Sequence, residues 1–579
     1  MRRRAWAAVA SACLLACPSN KTELDAGSVD AGPAALTEKE PNDRPDQALL
    51  LTGSSLVSAH LSADPAKPDE DWYQLSSNLP RTVDVTVSGF PGGDMVLEVM
   101  DADRNRLALV NSEGEGLPER LPNLGVSGKT FVRVFAAKRG LGGAYTLTAH
   151  FKAMVPGEEV EPNDRAVDGN SLALGEPVTG YLGHAGDEDW YRVELPQPEG
   201  AALAQVDGGE GFADAGLPLT DAGAPLDEAP QVALKIELGA VSGVRFEVAV
   251  LSEAEAALFQ VKGKENEALS LRNVGVRATD RLVYVVVKSG WSGTGKDAKR
   301  GYQPDQPYTL SVGQEEAGAN AEYEPNDELA KATALPRDGW REGFLSPKSD
   351  VDYYVLRTAQ PVLAKVQLSG VERLDLVLSV VKPAETPGGA EEVLLKVNDG
   401  AVKEPEIANN VLCVEACWFK VDGNTRKVDG KWVRDFENPD LPYRLTVAVT
   451  PDDGSQEREP NHRVQDATVL TMSRPVRGTI QPKKDVDYYR LDLSGRPVKT
   501  SLRATLTGIL KVDVGLYLHR VDEEGKLHLV ETADRAKGEQ PEVIRYSAEP
   551  GVYVFEVRDA KSREANFQDA YQLTVEEGE

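Results

Sequence analysis

Carboxylate and amide side chains are concentrated in two short segments that occur four times along the chain. The first segment reads Glu-x-Glu-Pro-Asn-Asp, and His462 replaces its last Asp in the fourth copy. The second segment reads Asp-x-Asp and is followed by two aromatic residues. Because calcium takes about six to eight oxygen ligands, mostly carboxylates and carbonyls, this density of oxygen donors predicts calcium binding.

The candidate calcium ligands fall into four sets. In chain order they are Glu38, Glu40, Asn42, Asp43, Asp69 and Asp71; Glu159, Glu161, Asn163, Asp164, Asp187 and Asp189; Glu322, Glu324, Asn326, Asp327, Asp350 and Asp352; and Glu457, Glu459, Asn461, Asp485 and Asp487. The second and third sets are the most complete. A three-residue insertion before Asp69 and the replacement by His462 weaken the prediction for the first and fourth sets.

A purely structural role for the same residues remains open. Side chains alternate along a strand, so Asp187 and Asp189 point to the same side as the core residues Tyr191 and Val193. A carboxylate at the rim of a core needs a partner, because burying an unpaired charge is costly. That partner is either a cation or a set of backbone N–H groups in a neighbouring turn.

The sequence contains no recognisable catalytic motif. Its six histidines form no H-E-x-x-H pair, and no G-x-S-x-G turn or phosphate-binding glycine loop occurs. We therefore expect a protein that is not an enzyme and that carries no organic cofactor. A hydrolase without a recognisable motif remains an alternative.

Two further groups of residues could bind or cross-link. Cys413 and Cys417 are four positions apart, which favours a local disulfide in an oxidising compartment. A C-x-x-x-C metal or redox site is the alternative, although no nearby His or further Cys completes it.

The first aromatic residue after each Asp-x-Asp lies on the outer strand face, where it either forms a stacking platform for sugar or peptide or packs under a loop. These residues are Trp72, Trp190, Tyr353 and Tyr488.

The N-terminus has the pattern of an export signal. Arg2, Arg3 and Arg4 precede a short apolar stretch that ends in Leu-Leu-Ala-Cys17, which is too short to span a bilayer as a helix. This ending resembles a bacterial lipobox, which implies lipidation of Cys17 and a membrane anchor. We therefore predict a signal peptide over 1–16, a flexible tether over 17–37, and a location in the cell envelope, at the outer membrane or cell surface.

The net charge of −29 argues against nucleic-acid binding.

The repeats define the organisation that must position the acidic segments. Each copy has a leucine after its opening segment and closes with Tyr-x-Leu-Thr or Tyr-x-Leu-Ser. Hydrophobic residues alternate with a period of two between these markers, which is typical of strands. The sequence predicts an all-β chain of four tandem antiparallel β-sandwiches, jelly-roll-like, over 38–152, 157–316, 320–450 and 455–579. A disordered insertion is expected near 205–230, within the second domain.

The spacing of these motifs resembles the bacterial pre-peptidase C-terminal (PPC) domain. The resemblance covers nearly all of 38–579 and implies a non-catalytic β-sandwich of the kind appended to exported enzymes. It also implies that the acidic opening segment can bind calcium and that the domains can bind an extracellular polymer. The leading hypothesis is a lipid-anchored envelope protein that binds an extracellular or periplasmic polymer or protein. A structural spacer or stalk without a specific ligand is the alternative.

Overall fold

The computed structural model describes residues 32–196, 231–316, 318–384, 386, 389–535 and 540–578. The predicted signal peptide, Cys17 and the predicted insertion near 205–230 lie outside the described residues. Regular structure in the described part consists of strands and four 3-10 helices, so the all-β prediction is confirmed. The 3-10 helices are η1 (Pro45–Gln47), η2 (Gly295–Asp297), η3 (Leu329–Lys331) and η4 (Val464–Asp466). None of the described helices is long and apolar enough to cross a membrane.

The chain divides into two compact units, and the smaller one comprises residues up to 119 together with 126–152. The first eight strands are β1 (Ala34–Thr37), β2 (Leu49–Leu51), β3 (Ser55–Leu61), β4 (Asp71–Val87), β5 (Met95–Met100), β6 (Arg106–Val110), β7 (Glu119–Ala136) and β8 (Gly143–Ala153). They form one sheet in the order β1-β3-β8-β4-β7-β5-β6, with β2 on β4.

One boundary prediction is wrong at this end of the chain. Ala34–Thr37 belongs to the predicted flexible tether, yet it forms β1. Parallel pairing with β3 supplies the backbone partners that the local composition does not suggest. The Ala34 amide, for example, donates to the Ser54 carbonyl at 2.9 Å.

The larger unit comprises residues 120–125 and 153–579. Its first strands are β9 (Asn170–Leu172), β10 (Pro177–Gly180), β11 (Glu188–Glu194), β12 (Gln231–Leu238), β13 (Arg245–Ser252), β14 (Ala257–Glu265), β15 (Leu269–Arg277), β16 (Leu282–Ser289), β17 (Trp291–Ser292), β18 (Lys299–Arg300) and β19 (Tyr308–Glu315). They form a four-stranded sheet, β10-β19-β12-β15, a five-stranded sheet, β14-β13-β16-β11-β9, and the small ribbon β17-β18.

The same two sheets recur in the third copy. Its strands are β20 (Thr333–Ala334), β21 (Trp340–Leu345), β22 (Asp352–Arg357), β23 (Val362–Leu368), β24 (Leu376–Lys382), β25 (Glu392–Val397), β26 (Glu406–Cys413), β27 (Ala416–Gly423), β28 (Arg426–Val428), β29 (Lys431–Val433) and β30 (Asn438–Pro451). The sheets are β20-β22-β27-β24-β25 and β21-β30-β23-β26, with β28-β29 as a ribbon.

The fourth copy repeats this order once more. Its strands are β31 (Thr468–Val469), β32 (Val476–Ile480), β33 (Val486–Asp492), β34 (Thr500–Leu506), β35 (Val514–Val521), β36 (Leu527–Ala533), β37 (Glu542–Ala548), β38 (Val552–Asp559) and β39 (Asn566–Glu577). The sheets are β31-β33-β38-β35-β36 and β32-β39-β34-β37.

Pairing is mostly antiparallel, but β2, β9, β20 and β31 pair parallel to the strand that follows Asp-x-Asp. β2 and β9 contain the leucine that follows the opening segment, and β20 and β31 end directly before it. In the larger unit, each pair of sheets shares one core, because its buried side chains come from both sheets. Alternation explains this burial: β33 buries Asp487, Tyr489 and Leu491 while the residues between them stay more exposed.

A core substitution in the fourth copy tests this layout. Phe555 is fully buried in the cluster shared by the two sheets of that copy. We expect Phe555→Ala to lower the free energy of unfolding by about 3–5 kcal/mol, because it removes contacts and leaves a cavity. Denaturant unfolding measures the change in the free energy of unfolding. Hydrogen exchange of the native variant should then show faster amide exchange in β31–β39 and little change in β20–β30. Val498→Ala, at a largely exposed position, is the control and should have almost no effect; uniform loss of protection across the chain would contradict the separate cores.

Candidate metal centre

The two acidic segments of each copy meet at one end of the hydrophobic core. The amide of the first aromatic residue after Asp-x-Asp donates to the carbonyl of the Asn in the opening segment. These bonds are Trp72 to Asn42 at 3.0 Å, Trp190 to Asn163 at 3.0 Å, Tyr353 to Asn326 at 3.1 Å and Tyr488 to Asn461 at 3.1 Å. The structure therefore brings together residues that the sequence separates by 27 to 30 positions.

A pair of buried tyrosines joins the two segments. In the second copy, the Tyr308 hydroxyl donates to Asp189 Oδ2 at 2.5 Å and lies 2.7 Å from the Tyr191 hydroxyl. The Tyr191 hydroxyl in turn lies 3.4 Å from Glu159 Oε2. The same chain of contacts occurs in the other three copies through Tyr73 and Tyr145, Tyr354 and Tyr443, and Tyr489 and Tyr571.

Sequence reasoning used these tyrosines as repeat markers and core residues but missed their contact with the acids. The only available signal was their constant position: one is the second aromatic residue after Asp-x-Asp, and the other opens the closing Tyr-x-Leu motif. Their hydroxyl groups fix one oxygen of the second Asp and reach the first Glu. We therefore add both tyrosines of each copy to the candidate site as positioning residues.

Backbone amides hold further oxygens of the cluster. Glu159 Oε1 accepts from the Tyr181 amide at 2.7 Å, and Glu161 Oε2 accepts from the Asn163 amide at 3.0 Å. Equivalent bonds to the second Glu occur in every copy. The capping role considered for these residues thus accounts for part of the cluster, because one oxygen of each first Glu, each second Glu and each first Asp accepts a backbone amide.

Other oxygens of the same groups are buried without a hydrogen-bond partner among the described residues. They come from the second Asp and the Asn of every copy, and from the second Glu of the third and fourth copies. These atoms are Oδ1 of Asp71, Asp189, Asp352 and Asp487, Oδ1 of Asn42, Asn163, Asn326 and Asn461, and Oε1 of Glu324 and Glu459. An unpartnered buried oxygen is costly, so these atoms are the ones that a proton, a water or a cation would satisfy.

The carboxylates converge closely enough to share one cation. Oxygens of Glu159, Glu161 and Asp189 lie within 4.8 Å of one another, and all three residues are buried. Equivalent groups are Glu38, Glu40 and Asp71 in the first copy and Glu322, Glu324 and Asp352 in the third. A second group, within the same distance, joins Glu161 to Asp164 and Asp187 and, in the first copy, Glu40 to Asp43 and Asp69.

Burial and mutual repulsion perturb these acids strongly. Burial, followed by the neighbouring carboxylates, raises the pKa of Glu161 and Asp189 well above the usual range. Burial likewise raises the pKa of Glu322 and Glu457 to about 7 and that of Asp71 to about 8. No described Lys or Arg forms a salt bridge with Glu159, Glu161 or Asp189, so neutralisation requires protons or an added cation.

The copies differ in how closely the first Glu is packed. A Cβ atom on Gly343 would lie 2.2 Å from Glu322 Oε2, and one on Gly478 would lie 2.2 Å from Glu457 Oε2. Strand register places Ala59 at the equivalent position of the first copy, opposite Tyr145. There Glu38 is half-buried and Glu40 is exposed. The insertion before Asp69 therefore does not remove the acidic group of the first copy, but that group is the most open to solvent.

The fourth copy departs in its second group only. His462, at the position of the last Asp, is exposed, while Glu457, Glu459, Asn461, Asp485 and Asp487 are buried as in the other copies. Asp327, at the same position of the third copy, is also exposed.

Two sequence predictions about other residues have clear outcomes. The structure joins Cys413 and Cys417 by a disulfide at the ends of β26 and β27.

Trp72 and Tyr353, considered as outward stacking platforms, are buried. Cross-strand neighbours cover them: Trp72 packs edge-on against Phe131 with ring centroids 6.3 Å apart, and Lys420 lies over the Tyr353 ring. Trp190 and Tyr488 are partly exposed.

No protein-family model matches the chain, and no curated protein matches it. Solved structures give distant likenesses. The pre-peptidase C-terminal domain of a collagenase from Bacillus anthracis is 16% identical over 20% of this chain and 99% of that domain, with a TM-score of 0.16. The CBM32 and M60 catalytic domains of ZmpB from Clostridium perfringens are 9% identical over 60% of this chain and 51% of that chain, with a TM-score of 0.12. A family 32 glycoside hydrolase from Bifidobacterium adolescentis is 8% identical over 87% of this chain and 99% of that chain, with a TM-score of 0.11. These TM-scores are too low to support an argument about fold or function.

The raised pKa values predict how stability depends on pH without a divalent cation. A carboxyl whose pKa is higher in the folded protein than in the unfolded chain stabilises the fold at low pH, and that contribution is lost as pH rises through the folded-state pKa. For Glu322, Glu457 and Asp71 the loss extends from their ordinary values of 4.5 and 3.8 to about 7 or 8. In EDTA we therefore expect a lower melting temperature at pH 8 than at pH 5. Glu322→Gln should reduce this difference, whereas Glu115→Gln, at an exposed position, should not. A melting temperature that does not depend on pH would contradict the prediction.

Proposed function

We propose that the chain is a non-enzymatic, lipid-anchored cell-envelope protein with four PPC-like β-sandwich modules that bind an extracellular or periplasmic polymer or protein. In this proposal, calcium stabilises the modules. The observation that carries it is the recurrence, in all four copies, of buried carboxylate and amide oxygens with no partner among the described residues. A catalytic site would not need to occur four times, whereas a stabilising one would.

The donors fit calcium better than magnesium or a transition metal. In the second copy, Glu159, Glu161, Asn163 and Asp189 offer only carboxylate and amide oxygens. Calcium accepts many such protein oxygens in flexible geometry, whereas magnesium keeps several waters and transition metals prefer nitrogen or sulfur. Bound calcium would supply charge neutralisation at a site where several carboxylates are buried together.

Four separate modules are supported by the recurring sheet order. The second, third and fourth copies each have a five-stranded and a four-stranded sheet with the same neighbours and a core of their own. In the first copy, β4 and β7 have 17 and 18 residues. Each of these long strands takes the place of two shorter strands, one in each sheet, of the other copies. We propose a jelly-roll-like sandwich for each copy, which accounts for this order, with domains over 38–152, 157–316, 320–450 and 455–579 and β1 added to the first.

A spacer or stalk is the second candidate function, and one observation favours it. The amide of Glu324 donates to the Asn273 carbonyl at 2.9 Å, and that of Glu459 donates to the Asn410 carbonyl at 2.9 Å. In both cases the calcium-binding segment of one copy is hydrogen-bonded to a strand of the copy before it. Calcium would then stiffen the join as well as the module, which is what a spacer requires.

Thermal unfolding in EDTA and in millimolar calcium tests the calcium part of the proposal. We expect calcium to raise the melting temperature, because a ligand present at a hundredfold excess over its Kd stabilises the native state by about 2.7 kcal/mol. The variant Asp189→Asn should reduce this rise, since it removes one charge from the buried group of the second copy. Gly343→Ala should do the same for the third copy by displacing Glu322. Lys235→Gln, outside the acidic groups, is the control, and an unchanged melt in calcium would contradict calcium binding.

Detergent phase partitioning tests the anchor. We expect the chain expressed in a bacterial host to enter the detergent phase, because one or more acyl chains at Cys17 add about 0.8 kcal/mol of membrane affinity for each buried methylene group. The Cys17→Ser variant should remain in the aqueous phase. Recovery of both proteins in the aqueous phase would contradict lipidation.

A further inference from the structure

A cleft between the third and fourth copies differs in charge from the rest of the chain. Its volume is about 590 Å³, and its lining includes Lys365, Asn409, Arg477, Phe567 and Gln572. No Asp or Glu is among the described residues that line it. This is unusual for a chain with 93 acidic and 64 basic residues.

At the equivalent surface between the second and third copies, the cations are paired with acids. Lys235 pairs with Glu237 at 2.7 Å, and Arg444 pairs with Glu342 at 2.7 Å. Arg272 pairs with Glu315 at 2.5 Å, its guanidinium lies 4.0 Å from the centre of the Phe344 ring, and it also donates to the Pro439 carbonyl. Arg272 therefore fills the space at this junction.

Strand register identifies the corresponding residues of the next junction. Lys235 lies opposite Gly313, and Lys365 lies opposite Ala448, so the two lysines are equivalent. Two residues farther along the strand, Gln367 takes the place of Glu237. By the same registers, Thr450 takes the place of Glu315.

The other wall of the cleft changes in the same direction. Glu342 lies opposite Arg444, and Arg477 lies opposite Gln572 at the equivalent pair. A cation thus replaces an acid. In the irregular stretch between paired residues of β15 and β26, Asn409 takes the place of Arg272.

These replacements remove the acidic partners of the cleft's cations. Asn409 reaches the fourth copy by donating to Gln481 at 3.3 Å and to the Phe567 carbonyl at 3.1 Å. Its shorter, uncharged side chain forms no ion pair like that of Arg272 with Glu315. Lys365 and Arg477 are exposed, and neither forms an ion pair with a described residue. Three acidic positions of one junction have become Gln, Thr and Arg at the next, so the local charge favours an anionic ligand.

We propose that this cleft binds an acidic oligosaccharide, with Lys365 and Arg477 contacting carboxylate groups of uronic-acid units. The remaining lining is rich in side chains that exchange hydrogen bonds with hydroxyl groups, namely Asn410, Thr450, Ser455, Gln456, Thr479 and Gln572. Phe567 adds an apolar surface for the face of a sugar ring, and the volume is within the range of small-ligand sites. This inference rests on the proposed binding function and names the ligand class for one of its surfaces.

Calorimetric titration with trigalacturonic acid tests the inference. The protein is the mature chain with Cys17→Ser, in EDTA, so that the ligand's carboxylates do not compete for calcium. We expect saturable binding of the acid and little binding of its methyl ester, which keeps the shape and removes the charge. Lys365→Gln and Arg477→Gln should each weaken binding about tenfold, because each removes a charged hydrogen-bond donor. The matched control, Lys235→Gln, changes the equivalent lysine of the other junction and should leave binding unchanged.

A second variant closes the cleft without removing its cations. Asn409→Arg combined with Thr450→Glu recreates the pair formed by Arg272 and Glu315, and it should abolish binding. No binding of trigalacturonic acid, or binding that Lys365→Gln and Arg477→Gln leave unchanged, would overturn the inference. A parallel panel of neutral glycans and envelope peptides separates this failure from that of the proposed function: a saturable ligand in that panel would leave the binding function standing, and none at all would contradict both.

Discussion

The burial of carboxylates at one end of each core, several of them in the second, third and fourth copies, is the constraint on which the rest of the structure depends. A buried carboxylate must be hydrogen-bonded, protonated or bound to a cation, because its unpaired charge is too costly. The fold meets part of this requirement with two tyrosines from different strands. Tyr308 belongs to β19 in the four-stranded sheet, and Tyr191 belongs to β11 in the five-stranded sheet. Their contact with Asp189 and Glu159 therefore ties the two sheets to the opening segment of the copy.

The opening segment has a second structural role in the larger unit. Its side chains point to the acidic centre of their own copy, while its backbone bonds to the copy before it. Glu459 shows both: its carboxylate is buried in the fourth copy, while its amide donates to Asn410 and its carbonyl accepts from Leu412, each at 2.9 Å. Any change in the charge at this centre acts on a residue that also belongs to the junction. Stability of a copy and order at its junction are thus physically linked through one short segment.

Much of this could be predicted from the sequence, and the remainder depended on contacts that sequence spacing does not encode. The period of two and the inward side of Asp189 follow from local patterns, and the structure agrees with both. The bond between Tyr308 and Asp189 spans 119 positions, so no local pattern specifies it. Burial of Trp72 likewise depends on Phe131 in a distant strand, which is why its strand face alone gave no reliable prediction. The strand at Ala34–Thr37 was missed because its pairing partner, and not its own composition, stabilises it.

Comparison of the four copies distinguishes the features that every copy keeps from the side chains that differ at one junction. The acidic centre, its tyrosine pair and the strand order are retained in every copy, since each module must solve the same burial problem by itself. Some junction positions are open to solvent and free of that requirement, so the exchange of Glu342 for Arg477 should have little effect on folding. Electrostatic complementarity governs which partners such a surface admits. In the proposed binding function, a repeated acidic centre combined with a junction that differs in charge would let copies of one strand order bind different ligands.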